Sequence, residues 1–592
     1  MNAPIEPRDA RPLAMAYTRD DAASLVAAAP ALHAVVAMTP DAAAELADGP
    51  FAVIAASAHL DDAAHGRIVA RTRRIDRACR KSLDALPAVP ETARITLLSD
   101  LHYLCASVFA LWFLLGRDGP WLVRGPDRGW LTIETRSDAL RALMAHVRSV
   151  GAPVRTWLRP ALAGTAVRAL NRAAARLAGG SRRIATSGCS YGMGNLIDAV
   201  ARQHGLRTLE IRGATGSWRD LAHPFRSFLH MLGGKPLATL IVAPEPMPGL
   251  IDVLESWWPS IPDSVARAGL EIYRDELITE AALTHGLVAG MENLLETAGC
   301  RAVVLNALHW GADVALAEAA GRRGAKRFLI SHGTHAPGGT LAADAEQRAL
   351  ADGQLVSVLA DTAVCQSPHA DALAHQMLPG TERAAFRPTM WGYKKLPDRP
   401  GGKRRILHAG TYKKLIGLRP WIYETSSEYA DGLARLVRAV ESLGDADLVI
   451  RFRPMAECDL NALRHFLPRS DCYEIKSDGA FLDDLAEADL LVSYASTTIE
   501  EALDARRPVL LWGGSARCRH LPSRTEAPTP ASRGAVYAAD DDEGLAKLLG
   551  PILDCHAGAP LTEAELEGHV WPAGTAGTAG VAQLIAEAAA AT

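Results

Sequence analysis

Residues 490–512 read LLVSYASTTIEEALDARRPVLLW. Leu490 to Ser493 is a short apolar run of strand length. A cluster of small hydroxyl residues, Ser496, Thr497 and Thr498, then opens a helical segment carrying Glu500 and Glu501, and Pro508 to Trp512 is a second apolar run. Strand, crossover helix and strand in about twenty residues dictate parallel pairing, because two strands joined through a helix run the same way. Ser496 is suited to cap the helix, with Glu500 or Glu501 completing its first turn. The same hydroxyls and free N–H groups are suited to hold a phosphate, with Glu501 one turn on to accept from ribose hydroxyls.

Two upstream segments have the same texture. LHAGTYKK (Leu407 to Lys414) is a strand ending in Gly410, Thr411 and two lysines, and LVIRFRPM (Leu448 to Met455) is a strand ending in Arg451, Arg453 and Pro454. The three loops converge on the carboxyl edge of one parallel sheet, where open α/β sheets bind ligands. Gly410, Thr411, Lys413, Arg453, Ser496, Thr497, Thr498 and Glu501 are therefore the expected nucleotide or phosphate site, with basic side chains meeting phosphate charge.

An earlier α/β series runs from Arg183. It comprises Arg183 to Thr186, the loop SGCSYGMGN (187–195), a helix, a strand at Leu206 to Ile211, the strand Ala302 to Asn306, a helix through Ala312 to Gly321 and the strand Arg327 to Ile330. The organisation expected is an N-terminal α/β extension over 1–180, a Rossmann-like acceptor-side domain over 181–390 and a Rossmann-like nucleotide-donor domain over 400–592 with a C-terminal helix. The Pro-, Gly- and base-rich stretch 385–404 is the linker. Within the extension, Phe51 to Ala56 reads as a strand, Trp121 to Thr135 as a hairpin, and Ser137 to Val147 and Val167 to Leu177 as helices.

Composition narrows the function classes. The chain has 592 residues, 49% hydrophobic and 22% charged, with formal net charge −4. Those values exclude a largely disordered chain and a nucleic-acid-coating protein, which needs a strong positive field. The 9 cysteines show no zinc-ligand spacing and read as reduced thiols. No signal peptide is expected in the first 15 residues, so the expected location is cytoplasmic. LHYLCASVFALWFLLG (101–116) is shorter than the roughly 20 apolar residues a spanning helix needs, and reads as a core helix. The neighbouring run Arg71, Arg73, Arg74, Arg77, Arg80 and Lys81 reads as a solvated helix face. Contact with anionic lipid at the inner face of a membrane is the alternative.

HAGT at a strand end, RFRP about forty residues on, and STTIEEAL followed by RPVLL together resemble the donor half of the GT-B glycosyltransferases. The nearest flavour is that of bacterial capsule and surface-polysaccharide enzymes, including Kdo- and sialic-acid-type transferases and CDP-glycerol glycerophosphotransferases. Those families commonly carry a His-Pro pair after the middle strand, where this chain has Arg453-Pro454, and a Ser-Ser-Thr-x-x-Glu-Ala helix start, matched at Ser496, Thr497, Thr498, Glu501 and Ala502. The resemblance covers about residues 300–590. It implies two Rossmann-like domains in a GT-B arrangement and transfer of a sugar from a nucleotide-activated donor to a hydroxyl of a surface polysaccharide or lipid-linked acceptor. No cofactor or metal is implied beyond the nucleotide-sugar substrate, and no nucleic-acid partner.

In FLISHGTHAPGG (328–339) the resemblance places the acceptor base. His332 follows a strand end and precedes Gly333, and an imidazole near its ordinary pKa is a suitable base for a hydroxyl. His335 is the second candidate, as donor to the donor phosphate; both histidines alternatively only tie down the turn. Ser190, Tyr191 and Gly192 in SGCSYGMGN are the acceptor-side candidates, and GCSYG also fits the G-x-S-x-G pattern of a hydrolase nucleophile. Asp540 to Asp542 read as a helix cap. A glycerophosphotransferase, a nucleotide-sugar 2-epimerase using Glu500 and Glu501, and a non-catalytic binding module stay open.

Overall fold

The computed structural model describes residues 11–590 except 29–30, 57–59, 117–118, 126–128, 151–182, 188–196, 198–200, 215–236, 310, 332, 387–402, 411–418, 420, 455–457 and 576–577. Three sheets organise them, and all pairings but one are parallel. The first contains β1 (Leu13–Ala16), β2 (Ala34–Ala37), β3 (Val53–Ala55), β4 (Trp121–Arg124) and β5 (Trp130–Ile133), in the order β3-β2-β1-β4-β5. The β4–β5 pair is antiparallel and is the hairpin expected from the sequence. The helix expected at Ser137 to Val147 spans Arg136–Ser149, with the Thr135 side chain capping it. That expected at Val167 to Leu177 lies outside the described residues.

The second sheet has seven strands: β6 (Arg183–Thr186), β7 (Arg207–Gly213), β8 (Leu237–Val242), β9 (Ala302–Leu305), β10 (Lys326–Ile330), β11 (Thr362–Cys365) and β12 (Glu382–Ala385). Their order is β12-β11-β10-β9-β6-β7-β8. The third has six: β13 (Arg404–Ala409), β14 (Ala446–Arg451), β15 (Tyr473–Lys476), β16 (Leu490–Ser493), β17 (Val509–Leu511) and β18 (Val536–Ala538), ordered β15-β14-β13-β16-β17-β18. Numbered within its own sheet, the third is 3-2-1-4-5-6, and the second has the same order with one strand added. Both are the Rossmann-like sheets expected from the alternation of apolar runs and helical segments.

Central strands such as β9 (AVVL) and β16 (LLVS) are buried along their whole length, as apolar runs covered on both faces must be. The helix Ser426–Leu443 covers one face of the third sheet. Thr425 and Glu428 form its reciprocal capping box, and Gly444 ends it in the left-handed region at φ 76°.

The N-terminal unit is more than an appended sheet. Its helix Glu91–Leu115 is longer than the sequence reading allowed, and it is the one helix among the described residues long and apolar enough to cross a membrane, with 72% of its apolar window buried inside the protein. It packs against the helices Ser264–Leu270 and Arg274–Gly286, so one core runs from Leu13 through Leu101 and Phe109 to Leu254, Tyr273 and Ala281. The C-terminal helix Thr578–Ala590 packs on the second sheet through Val581, Ala582 and Ile585.

The arginine run is exposed at Arg74, Arg77, Arg80 and Lys81, as expected of a solvated face, and half-buried at Arg71 and Arg73. On the helix Asp62–Asp84 it divides into two stripes. Arg67, Arg71 and Arg74 face the N-terminal core: Arg71 donates from Nε and Nη2 to Asp263 at 2.8 and 2.9 Å and lies over the Phe109 ring at 4.3 Å, Arg74 reaches Asp263 at 3.5 Å, and Arg67 lies over Phe113 at 5.1 Å. The stripe of Arg73, Arg77 and Arg80 faces elsewhere.

Asp263 both accepts Arg71 and caps the helix Ser264–Leu270 at the N–H groups of Val265 and Ala266. Burial works to raise its carboxyl, but the Arg71 hydrogen bonds and the cap hold it below the ordinary 3.8. Asp263→Ala is expected to cost about 1–3 kcal/mol of stability at neutral pH, combining a lost cap with a stranded guanidinium. A carboxyl with a depressed folded-state pKa stabilises above its unfolded value and stops doing so as pH falls through the folded one. Urea titrations of the two proteins should therefore differ most at pH 7, and the gap should narrow as pH falls below 3.8 and through the lower folded-state value.

Candidate functional site

The strand order of the third sheet reverses between β13 and β16, so the crevice outside their carboxyl ends is its ligand-binding position. The sequence-selected residues fall there. Gly410 follows β13, and Ser496, Thr497 and Thr498 follow β16. Arg453 is exposed just past β14, one strand over. Thr411 and Lys413 lie outside the described residues.

At the β13 side, a Cβ added to Gly410 would sit 3.8 Å from His408 Cε1 and 3.9 Å from Ser493 Oγ. His408 is buried against the Tyr429 ring at 5.7 Å, and burial pushes its imidazole down to about 4, so it is neutral at pH 7. His408 Nδ1 and Ser493 Oγ are buried without a hydrogen-bond partner among the described residues.

At the β16 side, the helix Thr498–Asp504 begins with Thr497 in an αR conformation, and Thr497 makes no side-chain cap. The Thr498 N–H donates instead to Ser496 Oγ at 3.3 Å. Thr498 Oγ1 is a third buried polar atom with no partner among the described residues. Buried polar groups are nearly always satisfied, so several unmatched atoms around one crevice mark a place built to meet other polar groups.

Glu500 and Glu501 are pushed apart. Glu500 is 3% exposed and its Oε1 accepts the Thr334 N–H at 2.6 Å, from the loop after β10 of the second sheet. His520 Nε2 lies 3.3 Å from the same oxygen. Burial works to raise the Glu500 carboxyl, but His520 and the Thr334 N–H outweigh it and hold it below its ordinary value. Glu501 is half-buried with no such partners among the described residues, and burial, followed by the neighbouring Glu500 charge, pushes it up to about 7. Of the two acids it is Glu500, absent from the sequence-derived site, that joins the two sheets.

The loop after β10 thus reaches the crevice. A Cβ on Gly333 would be 3.2 Å from Glu500 Oε1 and 3.3 Å from Thr497 Cγ2. The structure brings Gly333 and Thr334 against Thr497 and Glu500, although they are more than 160 residues apart in sequence. His332, next to Gly333, lies outside the described residues. His335 is buried beside His309, whose imidazole is driven down to about 3, first by burial and then by the charges of Arg419, His335 and His102.

Ser190, Tyr191 and Gly192 fall outside the described residues; in sequence they follow β6, and β6 and β9 flank the reversal of strand order in the second sheet. Asp541 caps the helix Asp542–His556, accepting the Gly544 N–H at 2.7 Å, as expected of that acidic run. Sequence reading placed no role on His408, Ser493, Thr334, His309 or His520. The first two stood inside the quoted strands, while nothing in the sequence links Thr334 or His520 to Glu500.

No protein-family model matches the chain, and no curated protein matches its sequence. Among solved structures, it is similar to a UDP-GlcNAc 2-epimerase from Neisseria meningitidis bound to UDP-GlcNAc, with 12% identity, TM-score 0.40, and 69% of this chain and 98% of that one covered. It is also similar to the glycosyltransferase SnogD from Streptomyces nogalater, with 16% identity, TM-score 0.34 and coverage of 69% and 100%. A third is the wall teichoic acid polymerase TagF, with 11% identity, TM-score 0.34 and coverage of 72% and 93%. At such identities and scores these similarities assign neither family nor activity to the chain.

Two substitutions separate the paired acids. Glu500→Ala strands the buried Thr334 N–H and is expected to cost about 1–3 kcal/mol in chemical denaturation. Glu501→Gln removes a carboxyl whose folded-state value is raised, which favours the protonated form and opposes folding once it must ionise. It should stabilise the protein above pH 7 and leave it unchanged near pH 4, below the ordinary carboxyl value of 4.5.

Proposed function

We propose that the chain is a glycosyltransferase that moves a sugar from a nucleotide-activated donor to a hydroxyl of a surface polysaccharide or lipid-linked acceptor. The observation that carries this reading is the crevice at the β13–β16 reversal, where His408 Nδ1 and Ser493 Oγ, both on residues beside the bare backbone of Gly410, and Thr498 Oγ1 at the start of the helix after β16 are buried without partners among the described residues. A donor phosphate is the group that such a crevice suits: small hydroxyl donors and a glycine admit it closely, and cationic side chains nearby balance its charge.

In this reading Gly410 and the hydroxyls of Ser496, Thr497 and Thr498 hold the donor phosphates. Thr411, Lys413 and Arg453, from the loops after β13 and β14, neutralise the charge that grows on the leaving phosphate as the sugar C1–O bond breaks. Glu501 accepts from the ribose hydroxyls. The acceptor oxygen attacks C1, and its proton passes to the His332 imidazole, which stands one residue from the Gly333 that touches Thr497. His335 supports the same turn from within, and Ser190, Tyr191 and Gly192 face the acceptor. The Glu500 to Thr334 hydrogen bond keeps the base-bearing turn in register with the donor site, the ångström-scale positioning on which transfer rates depend.

A second reading draws on one observation. Glu500 is held ionised while Glu501 is driven up to about 7, and two acids set apart in this way are suited to proton abstraction and return. That would serve a nucleotide-sugar 2-epimerase, which consumes a nucleotide-sugar without any acceptor.

The test is a thermal-shift panel of CMP, CDP, UDP, GDP and their sugar conjugates against the wild type and Ser496→Ala/Thr498→Ala. A ligand that binds only the folded state raises the melting temperature. One nucleotide class should stabilise the wild type and lose roughly tenfold or more in affinity in the double variant, because two donors to the phosphate are gone. His332→Ala should keep that binding and lose turnover. Absence of any nucleotide shift in folded protein contradicts the proposal. Interconversion of the nucleotide-sugar with no acceptor present replaces it with the epimerase reading.

A further inference from the structure

The second arginine stripe faces a cavity of about 390 Å³ at the junction of all three units. Arg73, Arg77 and Arg80 line it from the helix Asp62–Asp84, Arg348 from the helix Leu341–Ala351, Arg419 from the third unit, and His309 from the loop after β9. That loop leaves the strand-order reversal of the second sheet, where an α/β sheet places a ligand. The volume is within the range of small-molecule sites.

The acids at the cavity are largely committed to other partners. Asp76 Oδ2 is 2.6 Å from His102 Nδ1 while its Oδ1 has no hydrogen-bond partner among the described residues, Glu91 lies 3.3 Å from Arg94, Asp352 lies 3.8 Å from Arg80, and the buried Glu346 feels the charges of His102, Arg419 and Arg73. Of the cations, Arg348 is held by Asp344 at 2.7 Å. Arg419 is deeply buried, stacked 4.7 Å from the Tyr103 ring and 4.0 Å from Glu346. Arg73 and Arg77 make no ion pair within 4 Å among the described residues. Two guanidiniums one helical turn apart on the wall of a concave site, with the nearby acids engaged, form a site for an anion that both can grip.

We infer that this junction cavity binds a phosphate- or diphosphate-bearing ligand, with Arg73 and Arg77 as its principal grips. Planar guanidinium forks match phosphate oxygens two at a time, which a single ammonium does not. The inference does not depend on the donor reading of the third sheet. The same chemistry is offered by a soluble diphosphate and by the phosphate headgroup of an anionic lipid.

The experiment titrates inorganic pyrophosphate into the full-length protein by calorimetry and, in parallel, sediments the protein with phosphatidylcholine vesicles containing or lacking phosphatidic acid. Four proteins are compared: wild type, Arg73→Gln/Arg77→Gln, Arg67→Gln/Arg74→Gln as an equal charge loss on the opposite stripe, and Ser496→Ala/Thr498→Ala. Pyrophosphate binding should fall roughly tenfold or more in Arg73→Gln/Arg77→Gln alone. Loss of phosphatidic-acid sedimentation in that variant alone, with no pyrophosphate binding, supports the cavity with a lipid headgroup as its ligand. No binding in either assay, equal losses in both arginine variants, or loss only in Ser496→Ala/Thr498→Ala overturns the inference. If the double substitution at 73 and 77 unfolds the protein, Arg77→Gln, on an exposed side chain, carries the same comparison.

Discussion

The hydrogen bond from the Thr334 N–H to Glu500 Oε1, 2.6 Å long, is the contact on which the proposed site depends. A carboxylate only 3% exposed is expensive to bury; an N–H from one sheet's loop and a histidine of its own unit meet its Oε1, while its Oε2 has no hydrogen-bond partner among the described residues. The consequence is geometric. The loop after β10 and the segment after β16 are held against each other, which places Gly333 and Thr334 of the second sheet's loop against Thr497 and Glu500 of the third. Removing one partner leaves the other buried and unpaired, so the alignment of the two sheets and the electrostatics of the crevice are set by the same few atoms.

The N-terminal unit contributes a second constraint. Its long helix, Glu91–Leu115, is buried among helices that come from its own unit and from the Pro248–Leu270 and Arg274–Gly286 segments. Through Asp76, His102 and Tyr103, the unit also reaches Arg419, and through Arg419 it reaches the third sheet's polypeptide. Burial and Arg419 act to lower the His102 imidazole, but the carboxylates of Asp76 and Glu346 prevail and raise it to about 9. Three units therefore share a charged junction as well as an apolar core. This explains why an arginine-rich helix stands beside the long apolar helix Glu91–Leu115: one arginine stripe braces the core through Asp263, Phe109 and Phe113, and the other faces the junction cavity.

Much of the architecture was legible in the sequence because parallel sheets write themselves as short apolar runs separated by helical periods. β6, β9, β10, β13, β14, β16 and β17 all fall where those runs stand, and the grouping of Gly410 with Ser496 to Thr498 follows from strand order alone. What was not legible depended on contacts between distant segments. Glu500 and Glu501 are adjacent and chemically alike, and only the approach of the loop after β10 distinguishes them. The arginine run looked like one charged face because sequence proximity does not show that residues at 71 and 73 point about 160° or more apart around a helix of 3.6 residues per turn. β8, β12, β15 and β18, all edge strands, were missed, and the N-terminal sheet was only partly read.

The central claim is that a nucleotide occupies the strand-order reversal of the third sheet, beneath the turn that follows β10. Hydrogen–deuterium exchange with and without the nucleotide that binds most tightly tests it directly. Protection should appear together at 408–410, at 493–500 and at 333–335, since ligand and the Glu500 to Thr334 contact would be stabilised as one unit. Protection confined to the second sheet, around β6 and β9, with none at 493–500, would contradict the account.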